Sequence, residues 1–97
     1  METRFTWSAA KASANLRKHG VSFETARLVF SDPFHLVVEN HFVEGEQRYM
    51  AIGMIDGLAL VATVYVDRSE PGVAVIRIIS ARKAVAYEQS AYEDQFH

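Results

Sequence analysis

The chain has 97 residues, 49% of them hydrophobic and 23% charged, with a formal net charge of -2 at pH 7. This length allows one domain with a single core, so we treat residues 1–97 as one domain, and the composition excludes a disordered or fibrous protein. The lack of cysteine excludes a disulfide framework and a thiolate zinc site. The N-terminus has no apolar run typical of a signal peptide, and the longest apolar run, residues 58–66, is too short to span a bilayer. We therefore expect a cytoplasmic protein with no membrane association.

Cations are concentrated in one stretch of the sequence. Residues 68–83 contain four cations and a single acid, whereas residues 39–56 and 88–94 are each net acidic. A negative net charge is not typical of proteins that bind nucleic acid. The distribution nevertheless predicts a locally basic surface on a mildly acidic protein.

Two helices are predicted at the start of the chain. Ser8 is a favourable N-cap, apolar residues recur at helical spacing after it, and Gly20 supplies a C-terminal cap. Ser22 caps a second, shorter helical pattern, which ends at Asp32 and Pro33. We expect the two helices to pack close together.

From Phe34 onward the apolar residues follow the pattern of strands. The predicted strands are, in order, FHLVVENHFV, QRYMAIGMI, LALVATVYV and VAVIRII. Asp56 and Gly57, between the second and third strands, are a strong signal for a two-residue hairpin turn. With a further helix at the C-terminus, the order predicts an α+β fold in which three helices cover a four-stranded antiparallel meander.

The C-terminal helix is predicted over about 81–95, with Ser80 as its N-cap. Its first turn would contain Arg82 and Lys83, although the helix dipole makes cations mildly unfavourable there. Free N–H groups beside two cations favour a phosphate-binding site. The alternative is that both cations are simply solvated.

Three residues raise the question of ion pairing and proton transfer. Glu88 falls in the middle of the apolar side of the C-terminal helix and therefore needs a cation as partner. Arg77, within an otherwise apolar strand, would either pair with Glu88 or another acid, or contact a ligand directly. Tyr92 lies one turn after Glu88 and is either a core residue or a phenol near the same site.

Other kinds of catalytic site find no support in the sequence. The four histidines are too scattered to form a metal site, so we expect no metal. Ser80 has no His and Asp near it in sequence for a catalytic triad, and there is no glycine-rich phosphate loop. Acyl transfer and nucleotide hydrolysis are therefore not predicted.

Three segments carry a resemblance to a known family. They are WSAAKASANLRKHGVSFETARLVFSDP, EQRYMAIG and RIISARKAVAYEQSAYE, and the similarity runs nearly from end to end. These segments resemble the BrnT-type toxins, which belong to the RelE-like ribonucleases of bacterial type II toxin-antitoxin systems. The resemblance implies a RelE-like fold, metal-independent endoribonuclease activity without a cofactor, and neutralisation by a cognate DNA-binding antitoxin of the BrnA-like kind.

Two positions depart from the family pattern. Ser8 stands where the family usually has aspartate, a change that preserves the N-cap. Val66, in YVDR, stands where the family usually has the threonine of YTER, and this removes a hydroxyl near the predicted site.

The implied reaction assigns binding and electrostatic roles to five residues. A ribonucleotide 2′-hydroxyl attacks the adjacent phosphate, so the enzyme must stabilise added charge on phosphorus. We assign this stabilisation to Arg68, Arg77 and Arg82. We assign binding of substrate phosphate to Ser80 and Lys83.

The same reaction requires two proton transfers. One proton leaves the attacking hydroxyl, and another reaches the departing 5′ oxygen. Glu88, with a pKa raised by burial, is one candidate base, and Tyr92 is a candidate proton relay.

A function of another class remains open at this point. The protein would then be a non-catalytic binding module that acts in an autoregulatory complex with a DNA-binding antitoxin. The expected assembly is a homodimer or a toxin-antitoxin hetero-oligomer.

Overall fold

The helices at the N-terminus form where the sequence predicts them, because each begins with a serine cap. In the computed structural model, which describes residues 2–57 and 59–97, helix α1 spans Ala9–His19 and helix α2 spans Phe23–Ala26. Ser8 and Ser22 each accept, through Oγ, the backbone N–H three residues later, at 3.3 and 3.1 Å. The second predicted helix is α-helical for only one turn and continues as a 3-10 helix, Arg27–Ser31.

Five strands form one mixed sheet. They are β1 (Glu2–Thr6), β2 (Leu36–Val43), β3 (Glu46–Ile55), β4 (Ala59–Asp67) and β5 (Val73–Lys83), in the spatial order β1-β5-β4-β3-β2. β1 is parallel to β5, and the other pairs are antiparallel. The predicted four-stranded antiparallel sheet is therefore wrong in strand number and direction. The sequence does not reveal β1, because this short edge strand has only one half-buried side chain, Phe5.

The predicted hairpin turn joins β3 to β4. Asp56 and Gly57 have φ values of 53° and 68°, the left-handed conformation that this turn requires at both positions. The next residue, Leu58, begins the predicted third strand but lies outside the described residues, as does Met1.

The two faces of the sheet are covered to different extents. α1, α2 and the 3-10 helix cover one face, and the largest cluster of buried side chains lies beneath them. Helix α3 (Ala86–Asp94) lies over part of the other face, above a smaller cluster formed by Met50, Ile52, Ala62, Ala84 and Tyr92. No helix within the described residues is long and apolar enough to cross a membrane.

The C-terminal helix begins later than the sequence predicts. β5 extends to Lys83, and α3 begins at Ala86 rather than near residue 81. Ser80, Arg82 and Lys83 each pair with a residue of β4, so strand pairing replaces the first predicted helical turn. Ser80 is therefore not an N-cap, and the predicted phosphate site at a helix N-terminus is wrong.

Candidate active site

Arg82 and Glu88 form a bidentate ion pair between β5 and α3. Arg82 Nη1 donates to Glu88 Oε1 at 2.7 Å, and Nη2 donates to Oε2 at 2.9 Å. The Glu88 side chain is fully buried, whereas that of Arg82 is 37% exposed. The prediction that Glu88 needs a cation is confirmed, but the partner is Arg82 rather than Arg77. Arg82 is closer because β5 continues to the start of the short link into α3.

The Glu88 carboxylate is held in its ionised form. Burial alone would raise its pKa, but hydrogen bonds from Arg82 and from the Val85 N–H, at 2.9 Å, lower the pKa below its ordinary value. The same hydrogen bond to Glu88 raises the pKa of Arg82. The predicted raised pKa of Glu88 is therefore wrong. Because the prediction of Glu88 as a base depended on a raised pKa, that reason for it no longer holds. The geometry instead makes Glu88 the residue that orients the Arg82 guanidinium.

One row of residues crosses the same sheet face beyond α3. Arg48 on β3 pairs with Val66 on β4, and Val66 pairs with Arg77 on β5; we call these three residues the arginine row. Directly paired residues project from the same face, and two strand spacings put the two arginines roughly 10 Å apart at Cα. Val66, at the position where the family usually has threonine, lies between the two arginines and is only 4% exposed.

The two guanidinium groups of the arginine row are available to a ligand. Both arginines are only half-buried, and no hydrogen bond or ion pair within residues 2–57 and 59–97 engages either guanidinium. The apolar cluster under α3 extends to Met50 and Val64, which pair with each other and lie next to the row on this face. An arginine without a carboxylate partner is well suited to bind phosphate through two parallel hydrogen bonds.

Arg68 lies beside this row, at the end of β4. Its Nη2 donates to Glu46 Oε1 at 3.0 Å, and the side chains are 49% and 45% exposed. Glu46 is two residues before Arg48 on β3 and so projects from the same face. We call this uncovered surface, formed by Glu46, Arg68 and the arginine row, the open face.

A bulge in β5 brings Arg77, Ser80 and Arg82 to one side of the sheet. Val64 pairs with Ser80 and Tyr65 pairs with Ile78, so the residue between, Ile79, is an extra residue in β5. Regular alternation would point Arg77 and Arg82 to opposite faces. The bulge therefore assembles three of the predicted site residues.

Lys83 belongs to the opposite side of the sheet. It pairs with Val61, whose side chain is part of the core beneath α1 and α2. Its side chain lines a cleft of about 240 Å³ together with Leu16 and Val21. The predicted placement of Lys83 beside the arginines is therefore wrong, because the alternation of β5 directs it away from them.

Tyr92 is hydrogen-bonded to a residue that the sequence did not single out for the site. Its hydroxyl donates to Asp32 Oδ2 at 2.6 Å, and the same oxygen accepts the Met54 N–H at 2.8 Å. Burial, and then the hydrogen bond to the Asp32 carboxylate and its charge, raise the pKa of Tyr92 to about 12. A phenol that is buried and held as a donor in this way is a structural contact between α3 and the rest of the fold, and this geometry does not support a proton relay.

Two residues of the open face, Arg48 and Glu46, are absent from the predicted site. A signal for Arg48 exists, because alternation within QRYMAIGMI puts this cation on the same side as Met50 and Ile52. It is the same signal that singles out Arg77. Glu46 carries no such signal, since its proximity to Arg68 depends on the pairing of β3 with β4.

A family model described as "Ribonuclease toxin, BrnT, of type II toxin-antitoxin system" matches residues 7–88. The chain belongs to the BrnT family. A BrnT-family member is a ribonuclease toxin with RNA as its target and an antitoxin as its partner, so the predicted family, enzyme class and general partners are confirmed.

A solved structure supports the BrnT fold independently. The chain is similar to the ribonuclease toxin BrnT of Brucella abortus, with 24% sequence identity and a TM-score of 0.64, over 89% of this chain and 100% of that one. At this identity the match concerns the fold alone, which is α+β with a five-stranded mixed sheet and three helices. The comparison with curated protein sequences gave no match.

Proposed function

We propose that this BrnT-family member cleaves RNA on its open face, by metal-independent attack of a 2′-hydroxyl on the adjacent phosphate. The observation that carries this proposal is the arginine row, in which two half-buried arginines, whose guanidinium groups have no partner among the described residues, flank Val66. The RNA itself supplies the nucleophile in this reaction. The protein must position the phosphate and stabilise the charge that develops on it.

Arg48 and Arg77 fit the electrostatic part of the reaction. Arg77 is paired on both sides, with Thr6 of β1 and Val66 of β4, and Arg48 is paired with Val66 on its β4 side, so the sheet holds the backbone of both arginines. A preorganised cation needs no rearrangement when charge develops in the transition state. Arg82, oriented by Glu88, adds a third cation on the same side, and Ser80 lies between it and Arg77 as a hydroxyl donor.

Glu46 is a better candidate for the proton acceptor than Glu88 or Tyr92. Glu88 is fully buried and engaged by Arg82, and Tyr92 donates to Asp32. The Glu46 side chain is 45% exposed on the open face, and only its Oε1 accepts a side-chain hydrogen bond within the described residues, from Arg68. An exposed carboxylate near bound phosphate meets the geometric requirement for a base, which is access to the proton.

The proposal also covers the partner of this toxin. We propose a RelE-like toxin that acts in the cytoplasm and is neutralised by a DNA-binding antitoxin of the BrnA-like kind. The complex of toxin and antitoxin, rather than a toxin homodimer, is then the resting form. The family description supports this proposal at the level of a type II toxin-antitoxin system.

RNA binding and cleavage by single variants test the proposal. Arg48→Gln and Arg77→Gln should each lower the salt dependence of RNA binding, by roughly 0.7 in the slope of log K against log salt for one lost phosphate contact on a single strand. Glu46→Gln should keep the binding slope and lower the cleavage rate. Lys83→Gln is the matched control, because Lys83 lies on the opposite face.

Two outcomes would contradict the assignment of the open face. If the slope of log K against log salt falls for Lys83→Gln but not for the two arginine variants, the RNA binds on the other face of the sheet. A wild-type protein that binds RNA and its antitoxin but never cleaves would favour the non-catalytic binding module.

A further inference from the structure

The two edges of the sheet differ in how they are protected against pairing with another strand. β1 is short, and its exposed side chains include the ion pair of Glu2 and Arg4, at 2.8 Å. β2 is eight residues long, and Val37, Val38 and Phe42 on it are 47%, 41% and 68% exposed. Charged side chains normally guard an exposed edge, and an apolar edge is a template for an added strand. β2 is therefore the edge that is better suited to pair with a strand of a partner.

The first half of β2 is the regular part of this edge. The register with β3 is irregular between Glu39 and Phe42. Within this irregularity the Gln47 Nε2 donates to the Asn40 carbonyl at 2.8 Å, and the His41 N–H is bonded to the Asn40 side chain at 2.7 Å. Residues Leu36–Glu39 keep a regular ladder with β3 on one side, so alternate residues direct their N–H and C=O groups outward.

Apolar side chains flank this open stretch. Phe34, just before β2, and Phe96, just after α3, are each 52% exposed, and their ring centroids lie 5.1 Å apart. An added strand would cover Val38 on the face of α3 and Val37 on the opposite face. It would thus bury apolar surface on both sides of the sheet in addition to forming backbone hydrogen bonds.

The charge around this edge favours a basic partner over a second copy of the chain. Between Arg27 and Arg48 the sequence contains no lysine or arginine and four carboxylates, at Asp32, Glu39, Glu44 and Glu46. Asp32 is bonded to Tyr92 and Glu46 to Arg68, whereas Glu39 is exposed on β2 and Glu44 is exposed in the turn that follows β2. Pairing of two β2 strands would bring two such acidic segments together, which like-charge repulsion disfavours.

We propose that Leu36–Glu39 binds an extended segment of the antitoxin as a sixth strand of the sheet. The segment would carry alternating apolar residues and place Lys or Arg near Glu39 and Glu44. This inference rests on the proposed toxin-antitoxin function for the identity of the partner. β2 lies at the edge of the sheet, outside the arginine row, so antitoxin binding and RNA cleavage are separable by mutation.

Titration of the toxin with its purified full-length antitoxin tests the edge. The double variant Val37→Lys, Val38→Lys removes the apolar contacts and adds cations against a basic strand, so we expect at least tenfold weaker binding. Thr3→Lys, on the exposed β1 edge, is the matched control and should bind as the wild type does. RNA cleavage by the edge variant without antitoxin should equal that of the wild type.

Hydrogen exchange of the wild-type toxin gives a second measurement that does not depend on the folding of a variant. Amides in residues 36–39 that exchange rapidly in the free toxin should become protected when the antitoxin binds. Unchanged exchange there, or equal antitoxin affinity of the edge variant, would overturn the proposal. If the edge variant no longer forms a toxin homodimer but binds the antitoxin as tightly as the wild type does, the edge binds a second copy of the toxin instead. A wild type that binds its antitoxin at this edge but does not cleave RNA would remove the proposed reaction and leave the docking surface in place.

Discussion

The pair of Arg82 and Glu88 joins a buried carboxylate to an arginine that still reaches the surface. A buried ion pair of this kind contributes little when compared with an apolar pair, but removal of one partner is costly. Here the carboxylate is the fully buried member, and Arg82 is 37% exposed. The pair therefore holds a surface cation in a fixed orientation.

Glu88→Gln removes the charge and nearly keeps the shape of the side chain. We expect a loss of about 1–3 kcal/mol in the free energy of unfolding, because Arg82 loses its partner but stays within reach of water. Urea denaturation measures this loss, and Glu93→Gln, on an exposed position of α3, is the control. The folded variant should also cleave RNA more slowly, since Arg82 is no longer oriented. Wild-type stability and cleavage would show that the pair has neither role.

Tyr92 and Asp32 give the protein a predictable response to pH. The pKa of Tyr92 is raised from 10.0 to about 12, so the stability due to its neutral form is present below pH 10 and is lost as the pH rises towards 12. Although burial alone would raise the pKa of Asp32, the hydrogen bonds from Tyr92, Met54 and Phe34 lower it, so its contribution is lost as the pH falls below the ordinary value of 3.8.

Tyr92→Phe should reduce both the loss of stability at alkaline pH and the loss of stability at acid pH. At pH 7 we expect it to cost about 1.5–3 kcal/mol, as for a hydrogen bond to a charged group. The fall in stability between pH 10 and 12 should become smaller but not vanish, because the pKa of Tyr65 is also raised by burial. Unfolding followed across the pH range measures both slopes. An alkaline slope identical to that of the wild type would mean that Tyr92 titrates normally.

The end of β5 depends on a side chain that takes the place of a strand. β1 pairs with β5 only as far as Thr6 opposite Arg77, so no strand of the described residues pairs with β5 on that side beyond this point. There the Asn15 side chain of α1 accepts the Ala81 N–H at 3.1 Å and donates to the Ala81 carbonyl at 2.8 Å. The same amide donates to the Val21 carbonyl at 2.9 Å, so one buried residue joins α1, the start of α2 and β5.

Asn15→Ala should be among the most destabilising changes of a single polar residue in this chain. It leaves the N–H and C=O of Ala81 without partners in the interior, and each unsatisfied buried group costs roughly 1–3 kcal/mol. We therefore expect a loss of about 2–4 kcal/mol, measured by denaturant unfolding. Ser13→Ala, on the exposed side of the same helix, is the control and should change the stability little. A loss below 1 kcal/mol for Asn15→Ala would mean that water or a backbone shift replaces the amide.

The whole molecule uses the two faces of one sheet for different purposes. The face under α1, α2 and the 3-10 helix carries the larger core, which includes Phe23, Val29 and Ile78 at 0–1% exposure. The other face is divided between the apolar cluster under α3 and the open face with its arginines. The larger core is therefore on one side, and the other side carries the smaller cluster and the exposed arginines.

Much of the local structure can be predicted from the sequence because its causes lie within a few residues. Ser8 and Ser22 cap helices through the N–H three residues later, and Asp56 and Gly57 form a turn by their own backbone preference. The need of Glu88 for a cation likewise follows from its place among apolar residues. The family resemblance extends this local information to the class of enzyme.

Tertiary structure decides the features that depend on distant residues. Residues 80–83 are compatible with a helix by themselves, but β4 and Asn15 offer hydrogen bonds to their backbone, and these partners are remote in sequence. The bulge at Ile79 then determines that Arg77 and Arg82 share a face, and the end of β5 beside α3 determines that Arg82 pairs with Glu88. Strand pairing and register are properties of the assembled sheet, so a single sequence names the arginines but does not say which of them forms an ion pair with Glu88 and which lie on the open face.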